Sequence, residues 1–332
     1  MNKFAAWLIY PATMTLCLAT YFALAVANAP TLLAMYVPAL LGAGLVTLFE
    51  WRFPHRRAWH PDAATLTNDL AYMTLVQMLL PPGVALLFVL ALVQPLHGLG
   101  LPALWPHSWP LWAQAMLMLF AADFLRYWLH RASHRWPPLW ALHAVHHSPH
   151  RLYWLNVGRF HPLEKALQMT ADTLPFLLVG VSPEVVALYF AFYAVNGFFQ
   201  HSNVEVRLGL LNWLVSGPEL HRWHHSRLPA ESDRNFGNNV IVWDTLFGTR
   251  FLPQDRECED LGLLNRHYPA SLVEQLRAPF VPHLSKRPVA LPPWPRAFRT
   301  LARPFKRALR SLAMAVIAWR DWRPLARAAR DP

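Results

Sequence analysis

Eight histidines in three short groups are the residues of this 332-residue chain whose types and spacing can do chemistry. His130 and His134 bracket the segment HRASH. His143, His146 and His147 lie in HAVHH, and His221, His224 and His225 lie in HRWHH. On a helix, residues three and four apart share a face, so each group can present two or three imidazoles to one point. Imidazole is a ligand for Fe, Zn, Cu and Ni. Eight donors exceed what one ion with roughly four to six positions can use, and two metals are the economical reading. A lone histidine beside an apolar run, such as His97 or His107, is ordinarily no more than that. One HxxHH is a weak signal; HxxxH, HxxHH and HxxHH in that order, bracketed by apolar spans, is a strong one. Eleven of the 17 histidines lie between positions 130 and 225.

The elements that must position these groups are written in hydropathy. The chain is 55% apolar, 13% aromatic and only 15% charged, against roughly 25% charged in soluble domains. Sixteen tryptophans fit the interfacial belts of a membrane protein. Ala5–Ala27 is a charge-free run long enough to cross a bilayer. Lys3 and the triplet Ala25-Val26-Ala27 lend it a signal-peptide look, but its length and the second apolar run behind it favour a retained helix. Thr31–Phe49 is the second span and ends at Glu50-Trp51-Arg52. Ala71–Val93 is the third, with Pro81-Pro82-Gly83 expected to kink or break it. Leu111–Leu125 is the fourth. Leu163–Val181 and Val185–Phe199 read as a helical hairpin turned at Gly180–Pro183 and short enough to be re-entrant. The expected fold is all-α: a polytopic membrane protein of four transmembrane helices plus a re-entrant or membrane-inserted helical hairpin, with a cytoplasmic histidine-rich helical cap. The expected divisions are N-terminal transmembrane helices over 1–109, a catalytic domain over 110–252 and a cytoplasmic basic tail over 253–332.

Charge sets the orientation. Arg52, Arg56 and Arg57 follow the second span, Arg126 and Arg131 the fourth, and Lys3 precedes the first, whereas the Val93–Pro110 connection has no Lys or Arg. The positive-inside rule then puts both termini and every histidine group on the cytoplasmic side. Net charge is +11; from Lys286 to Pro332, twelve Lys or Arg stand against Asp321 and Asp331, a net of +10. Phe298, Leu301, Phe305, Leu309, Leu312 and Ile317 interleave with these cations at helical spacing, which suits an anionic lipid surface. Nothing in the chain offers a groove-reading module, so nucleic acid is not an expected partner. Cys17 and Cys258 allow no disulfide framework and no cysteine-based metal site.

At this point the sequence resembles a known family, the fatty acid hydroxylase and sterol desaturase superfamily of membrane non-haem di-iron oxygenases. The resemblance runs from Asp123 to Arg250 through DFLRYWLHRASH, LWALHAVHHS, FHPLE, FQHSN, HRWHH, NFGN and WDTLFGT in order. It implies that His130, His134, His143, His146, His147, His221, His224 and His225 bind two irons, with zinc as an alternative occupant after heterologous expression. It adds His201 as a ninth ligand. His161 falls in the family's His-Pro-Leu-Glu segment, as a residue lining the site or a weaker ligand candidate. Some relatives carry a further ligand histidine where this chain has Glu205, so either Glu205 ligates as a carboxylate or that position is open. Among the other acids, Asp123 reads as the partner of Arg126 rather than a ligand. Glu164 and Asp244 read as carboxylates that orient ligand imidazoles.

The activity implied is O2-dependent hydroxylation or desaturation of a membrane lipid, since attack on an unactivated C–H bond needs an oxidant no side chain provides. The chain has no nucleotide, flavin, haem or iron–sulfur motif of its own. A separate cytoplasmic electron donor (a reductase, ferredoxin or cytochrome) is therefore expected. Rival classes are a metal-ion transporter, which would place ionisable groups within the spans, and a haem-binding membrane electron carrier, which would leave most of these histidines unused. The Ala-, Arg- and Pro-rich composition points to a bacterial cytoplasmic membrane.

Overall fold

A computed structural model of the chain describes residues 3–97, 104–281 and 283–284, all within one compact unit, Met1–Val289. The basic tail expected from Lys286 onward lies outside the described residues. Helices joined by loops make up the fold. Among the described residues the extended pairings are isolated bridges: Pro54 with Val204, Val215 with Val240 and Ser226 with Leu261.

The apolar runs become long helices because a backbone with no water to bond must satisfy itself internally. α1 (Lys3–Val26) and α2 (Thr31–Arg52) form a pair. Ala63–Val93 is a third apolar rod, made of α3 (Ala63–Tyr72), a π-helical turn at Met73–Leu79, α4 (Leu80–Phe88) and a second π-helical turn at Val89–Val93, with α5 (Gln94–His97) following directly. Asp62 caps its start by accepting the Thr65 N–H. Ala5–Val26, Thr31–Arg52 and Ala63–Val93 are long and apolar enough to cross a membrane. Leu40, Leu79 and Leu87 on them are 61–67% exposed, as a lipid-facing surface requires.

The third rod departs from expectation at Pro81-Pro82. It does not break there. Proline removes a donor and its ring crowds the carbonyl four residues back. The turn before it widens instead, the Leu80 N–H reaching the Leu75 carbonyl five residues back, so the helix runs through. The widened turn is also where Gly158 approaches. A Cβ on Gly158 would sit 3.1 Å from the Met73 Cα.

α6 (Leu111–Ser133) contains the expected fourth apolar run but continues two turns past Leu125, carrying His130. α7 (Pro137–His147), α8 (Pro162–Leu178), α9 (Pro183–His201), α10 (Pro218–His224) and α11 (Pro229–Ser232) each open on proline, whose fixed φ and missing N–H suit a first helical position. α12 (Val242–Leu246) and α13 (Leu272–Arg277) are short. α8 and α9 turn about Gly180, at φ +82°, and Ser182 caps α9 by accepting the Val185 N–H.

α9 is the central strut. α1, α2, α6 and α10 all pack on it, and α8 lies between α6 and α4. Where lipid is as apolar as the core, close approach and polar ties hold helices together. Gly42 supplies the first on α2, since a Cβ there would fall 2.7 Å from Val195 Cγ2. Tyr10 and Tyr21 of α1 supply the second, donating to Asn196 Oδ1 at 2.8 Å and to the Glu184 carbonyl at 2.7 Å.

Candidate metal centre

The ends of α6, α7, α9 and α10 meet at one level, and their histidines converge there. His130, His134, His143, His147 and His224 form one group; His146, His201, His221 and His225 form another. Within each group the candidate ligand nitrogens all lie within 4.8 Å of one another. The helical repeat decides the split. His143 and His147 are four apart and share a face, while His146 looks to the neighbouring group. On α10 and the residue that ends it, His221 and His225 pair in the same way and His224 looks across. Each HxxHH therefore serves both groups. The two groups touch: the rings of His147 and His225 stack with centroids 4.5 Å apart.

The nitrogens that meet are Nε2 atoms. Separations are 3.0 Å for His130–His143, 3.1 Å for His143–His134, His143–His147 and His147–His224. In the second group they are 3.0 Å for His201–His221, 3.1 Å for His221–His225 and 3.2 Å for His225–His146. Two donors at right angles on one ion, each about 2.1 Å from it, are about 3.0 Å apart.

The other ring nitrogen identifies what these atoms are. His143 Nδ1 donates to Glu164 Oε1 at 2.6 Å and His134 Nδ1 to Asp233 Oδ1 at 3.0 Å. His130, His224 and His146 donate to the Phe236, Arg234 and Arg159 carbonyls at 2.8, 2.8 and 3.3 Å, and His201 to Asn156 Oδ1 at 2.7 Å. Carboxylate and carbonyl oxygens only accept, so in these six histidines the ring proton sits on Nδ1 and Nε2 carries a lone pair. Lone pairs packed about 3 Å apart repel unless a cation lies among them. The donor set fits metal ions.

Burial, reinforced by neighbouring imidazoles, holds His146, His147, His221 and His225 well below the ordinary histidine pKa of 6.5. They stay neutral, which ligation requires.

Of the four acids and one histidine singled out by sequence beside the ligand candidates, all but Glu164 sit elsewhere or act differently. Asp123 does not pair with Arg126. It accepts from the Asn239 and Val240 backbone N–H groups at 2.8 Å, and Arg126 turns to Asp172 at 2.7 Å. Two loop amides already satisfy Asp123, while α8 brings Arg126 its own carboxylate. Asp244 holds no imidazole. It takes the Phe236 and Gly237 N–H groups at 2.8 and 2.6 Å, stiffening the loop whose Phe236 carbonyl receives His130. Glu205 stands outside both groups because His55 Nδ1 claims it at 2.6 Å. His161 also stands outside them, capping α8 through the Leu163 N–H. Glu164 alone of the four bonds a histidine of the groups directly.

Sequence reasoning passed over Asp233, Asn156, Glu50 and Asp69. Asp69 accepts from Arg159 Nε at 2.7 Å and from the Tyr153 hydroxyl. Glu50 takes the Trp154 and Asn203 N–H groups at 2.7 and 2.8 Å. Together they brace the Tyr153–Arg159 segment, which supplies acceptors to His146 and His201. The signal was an acid in an otherwise apolar helix, where ionisable groups are functional by default.

A cavity of about 500 Å³ opens beneath the histidines. His130, His143, His146, His201 and His221 line one part, and Leu32, Met35, Leu40, Phe176 and Phe190 another.

Residues 115–249 match the family model described as fatty acid hydroxylase. The chain is 34% identical over 259 residues to ornithine lipid hydroxylase OlsE of Rhizobium tropici, covering 75% of this chain and 76% of that protein. It is 33% identical over 158 residues to alkylglycerol monooxygenase of Danio rerio, covering 48% of this chain and 33% of that protein. With the alkylglycerol monooxygenase of Homo sapiens the figures are 31% over 147 residues, 44% and 31%. The chain thus spans about a third of the length of the alkylglycerol monooxygenases it matches. No solved structure matches it. The match to OlsE covers three-quarters of both proteins, and the family model spans all three histidine groups: this chain belongs to the fatty acid hydroxylase family.

Proposed function

We propose that the protein is a membrane-bound, O2-dependent lipid hydroxylase in which each histidine group holds one iron. One observation carries the reading: nine Nε2 donors gathered in two touching groups, at the mouth of a largely apolar cavity. His130, His134, His143, His147 and His224 would hold one ion and His146, His201, His221 and His225 the other. Two irons bound there would pass electrons from the separate donor to O2 and so activate it for attack on a C–H bond. The chain itself does the rest. Nδ1 anchors fix the imidazole planes of His130, His134, His143, His146, His201 and His224, and the helices around the cavity exclude water and hold the hydrocarbon against the site. Desaturation would use the same arrangement and differ in that a second hydrogen leaves the adjacent carbon instead of oxygen being inserted. The relatives' names, an ornithine lipid hydroxylase and an alkylglycerol monooxygenase, support a membrane lipid as substrate.

The reading includes four membrane spans, the fourth being the first half of α6, with the α8–α9 hairpin inserted alongside. Trp112, Met116 and Leu117 of α6 and Leu167 and Leu178 of α8 are exposed apolar residues that favour this arrangement. The histidines then form a cytoplasmic cap, where a separate electron donor can dock, and the basic tail from Lys286 lies on anionic lipid; residues 253–281 are not part of such a tail, because Leu261, Gln275 and Ala278 are buried in the fold. Residues 1–109 are the N-terminal wall of the cavity and 110–252 the catalytic part.

The test is lipid mass spectrometry of cells with and without the gene, paired with elemental analysis of the purified protein. Lipids one oxygen richer or two hydrogens poorer are expected, with near two iron ions per chain. One metal or none in folded protein overturns the di-iron reading.

A further inference from the structure

The cavity carries more polar groups than metal binding uses. Glu164, Gln168 and Asp172 recur every four residues on α8 and so share a face. They are 3%, 4% and 5% exposed, and all three line the cavity. Glu164 Oε1 is taken by His143 and by Gln168 Nε2, the latter at 3.0 Å. Glu164 Oε2, Gln168 Oε1, Asp172 Oδ1 and the Tyr189 hydroxyl have no hydrogen-bond partner in the protein, nor does Asn238 Nδ2. Tyr189 and Asn238 also line the cavity. The cations nearby are engaged: Arg126 with Asp172 and Asn238, and Lys165 with the Tyr193 hydroxyl at 3.2 Å.

Buried polar atoms are ordinarily paired, because leaving one unpaired forfeits its hydration with no return. Several such atoms in one cavity mark a place built for a polar ligand group. Their chemistry is one-sided, with three acceptor oxygens, one hydroxyl and one donor. The complementary group gives hydrogens. The stripe begins at Glu164, which holds a histidine of the first group, and the eight residues to Asp172 rise about 12 Å. Beyond it the α8 lining turns apolar at Phe176 and Leu177.

We propose that this stripe seats the polar group of the substrate, a hydrogen-bond donor such as a hydroxyl, amide N–H or ammonium. The lipid binds with that group against Gln168, Asp172 and Tyr189 and its hydrocarbon among Leu32, Met35, Leu40, Phe176 and Phe190. This rests on the oxygenase reading and deepens it: the bond oxidised lies at or within a few atoms of the polar group, not in the distant chain.

The test uses full-length, metal-loaded protein in phosphatidylcholine nanodiscs, whose lipid offers no hydrogen-bond donor. Three twelve-carbon probes alike except at one end, dodecan-1-ol, dodecylammonium and dodecane, are titrated by tryptophan fluorescence. A site built to hydrogen-bond a ligand rejects the analogue lacking the group, so the alcohol or the ammonium should bind at least about tenfold tighter than dodecane. Which of the two leads identifies the donor. Tyr189→Phe, whose hydroxyl bonds nothing in the protein, should cut that preference about threefold or more with metal content unchanged. Gln168→Leu is the second variant. Equal binding of all three probes, or a preference intact in both variants, overturns the proposal. In cells, fragmentation of the oxygenated lipid should place the new oxygen on the head-side fragment. A new oxygen in the distal chain overturns this proposal while supporting the oxygenase. Absence of any oxygenated lipid counts against the oxygenase, and the binding titration then decides the pocket on its own.

Discussion

His134, His146 and His224 each combine a lone pair aimed into a shared group with an Nδ1 proton given to a fixed acceptor. Neither half can be replaced by a neighbour, because the remaining imidazoles are already committed. His134→Ala, His146→Ala or His224→Ala should each abolish lipid oxidation and lower the metal content, with the protein still accumulating in the membrane. His267, exposed and distant in sequence from every group, serves as control, and His267→Ala should leave activity near wild type. Equal loss in all four would point to general destabilisation instead. The acceptors matter at one remove. Removing the carboxylate that orients a ligand imidazole typically weakens metal binding roughly 10–100-fold. Asp233→Ala should do so at the His134 group, read as faster metal loss to a chelator with helix content by circular dichroism unchanged. Retention at the wild-type rate would remove Asp233 from the site.

The helices are not interchangeable carriers of these residues. α6 and α7 bring the first group together, and α9 and α10 much of the second, but α2 and α3 keep the segment between α7 and α8 in place. Glu50 and Asp69 are buried acids in apolar helices, and each bonds that segment. Breaking a buried ion pair by deleting one partner leaves the other charge stranded, at a cost of about 3–5 kcal/mol. Asp69→Ala should therefore destabilise the protein by that order in a denaturant titration, and it should disturb His146, whose acceptor is the Arg159 carbonyl. Asp69→Asn with unchanged stability would show that the Arg159 contact carries little. The family match begins at residue 115, so these braces come from outside it.

At the scale of the whole molecule, metal loading, substrate entry and electron supply all depend on which side of the membrane the histidines occupy. The proposed orientation, argued from charge placement, has them in the cytoplasm and the uncharged connection before α6 outside. Single cysteines at Ser108 and Asp255, both exposed, in a chain with Cys17 and Cys258 replaced, test this with an impermeant thiol reagent. Ser108→Cys should label in intact cells and Asp255→Cys only after permeabilisation. External labelling at Asp255→Cys would put the site on the wrong side for a cytoplasmic donor. Truncation after Pro282 should leave two metals bound, because every ligand candidate lies upstream. A metal-depleted truncation would make the tail part of the catalytic unit.

What the sequence alone determined is what short-range geometry dictates. Residues three and four apart share a helix face, so each HxxHH was legible as two or three imidazoles aimed at one point; that His146 and His224 turn to the other group was not. Charge-free runs of bilayer length were legible as α1 and α2. The three HxxxH and HxxHH segments, with His201, were legible as one constellation through the resemblance they carry. The tertiary fold decided which group each histidine joins, because that depends on how α6, α7, α9 and α10 cross. The same holds for the acids. Asp123, Asp244 and Glu205 are as acidic and as near the motifs in sequence as Glu164, yet only Glu164 reaches a histidine of the groups. Loop amides capture Asp123 and Asp244, and His55, 150 positions away, captures Glu205. Asp233 was missed for the converse reason: nothing local marks an acid whose partner, His134, arrives from 99 residues along the chain. Periodicity records the face a residue occupies, and only packing says what that face meets.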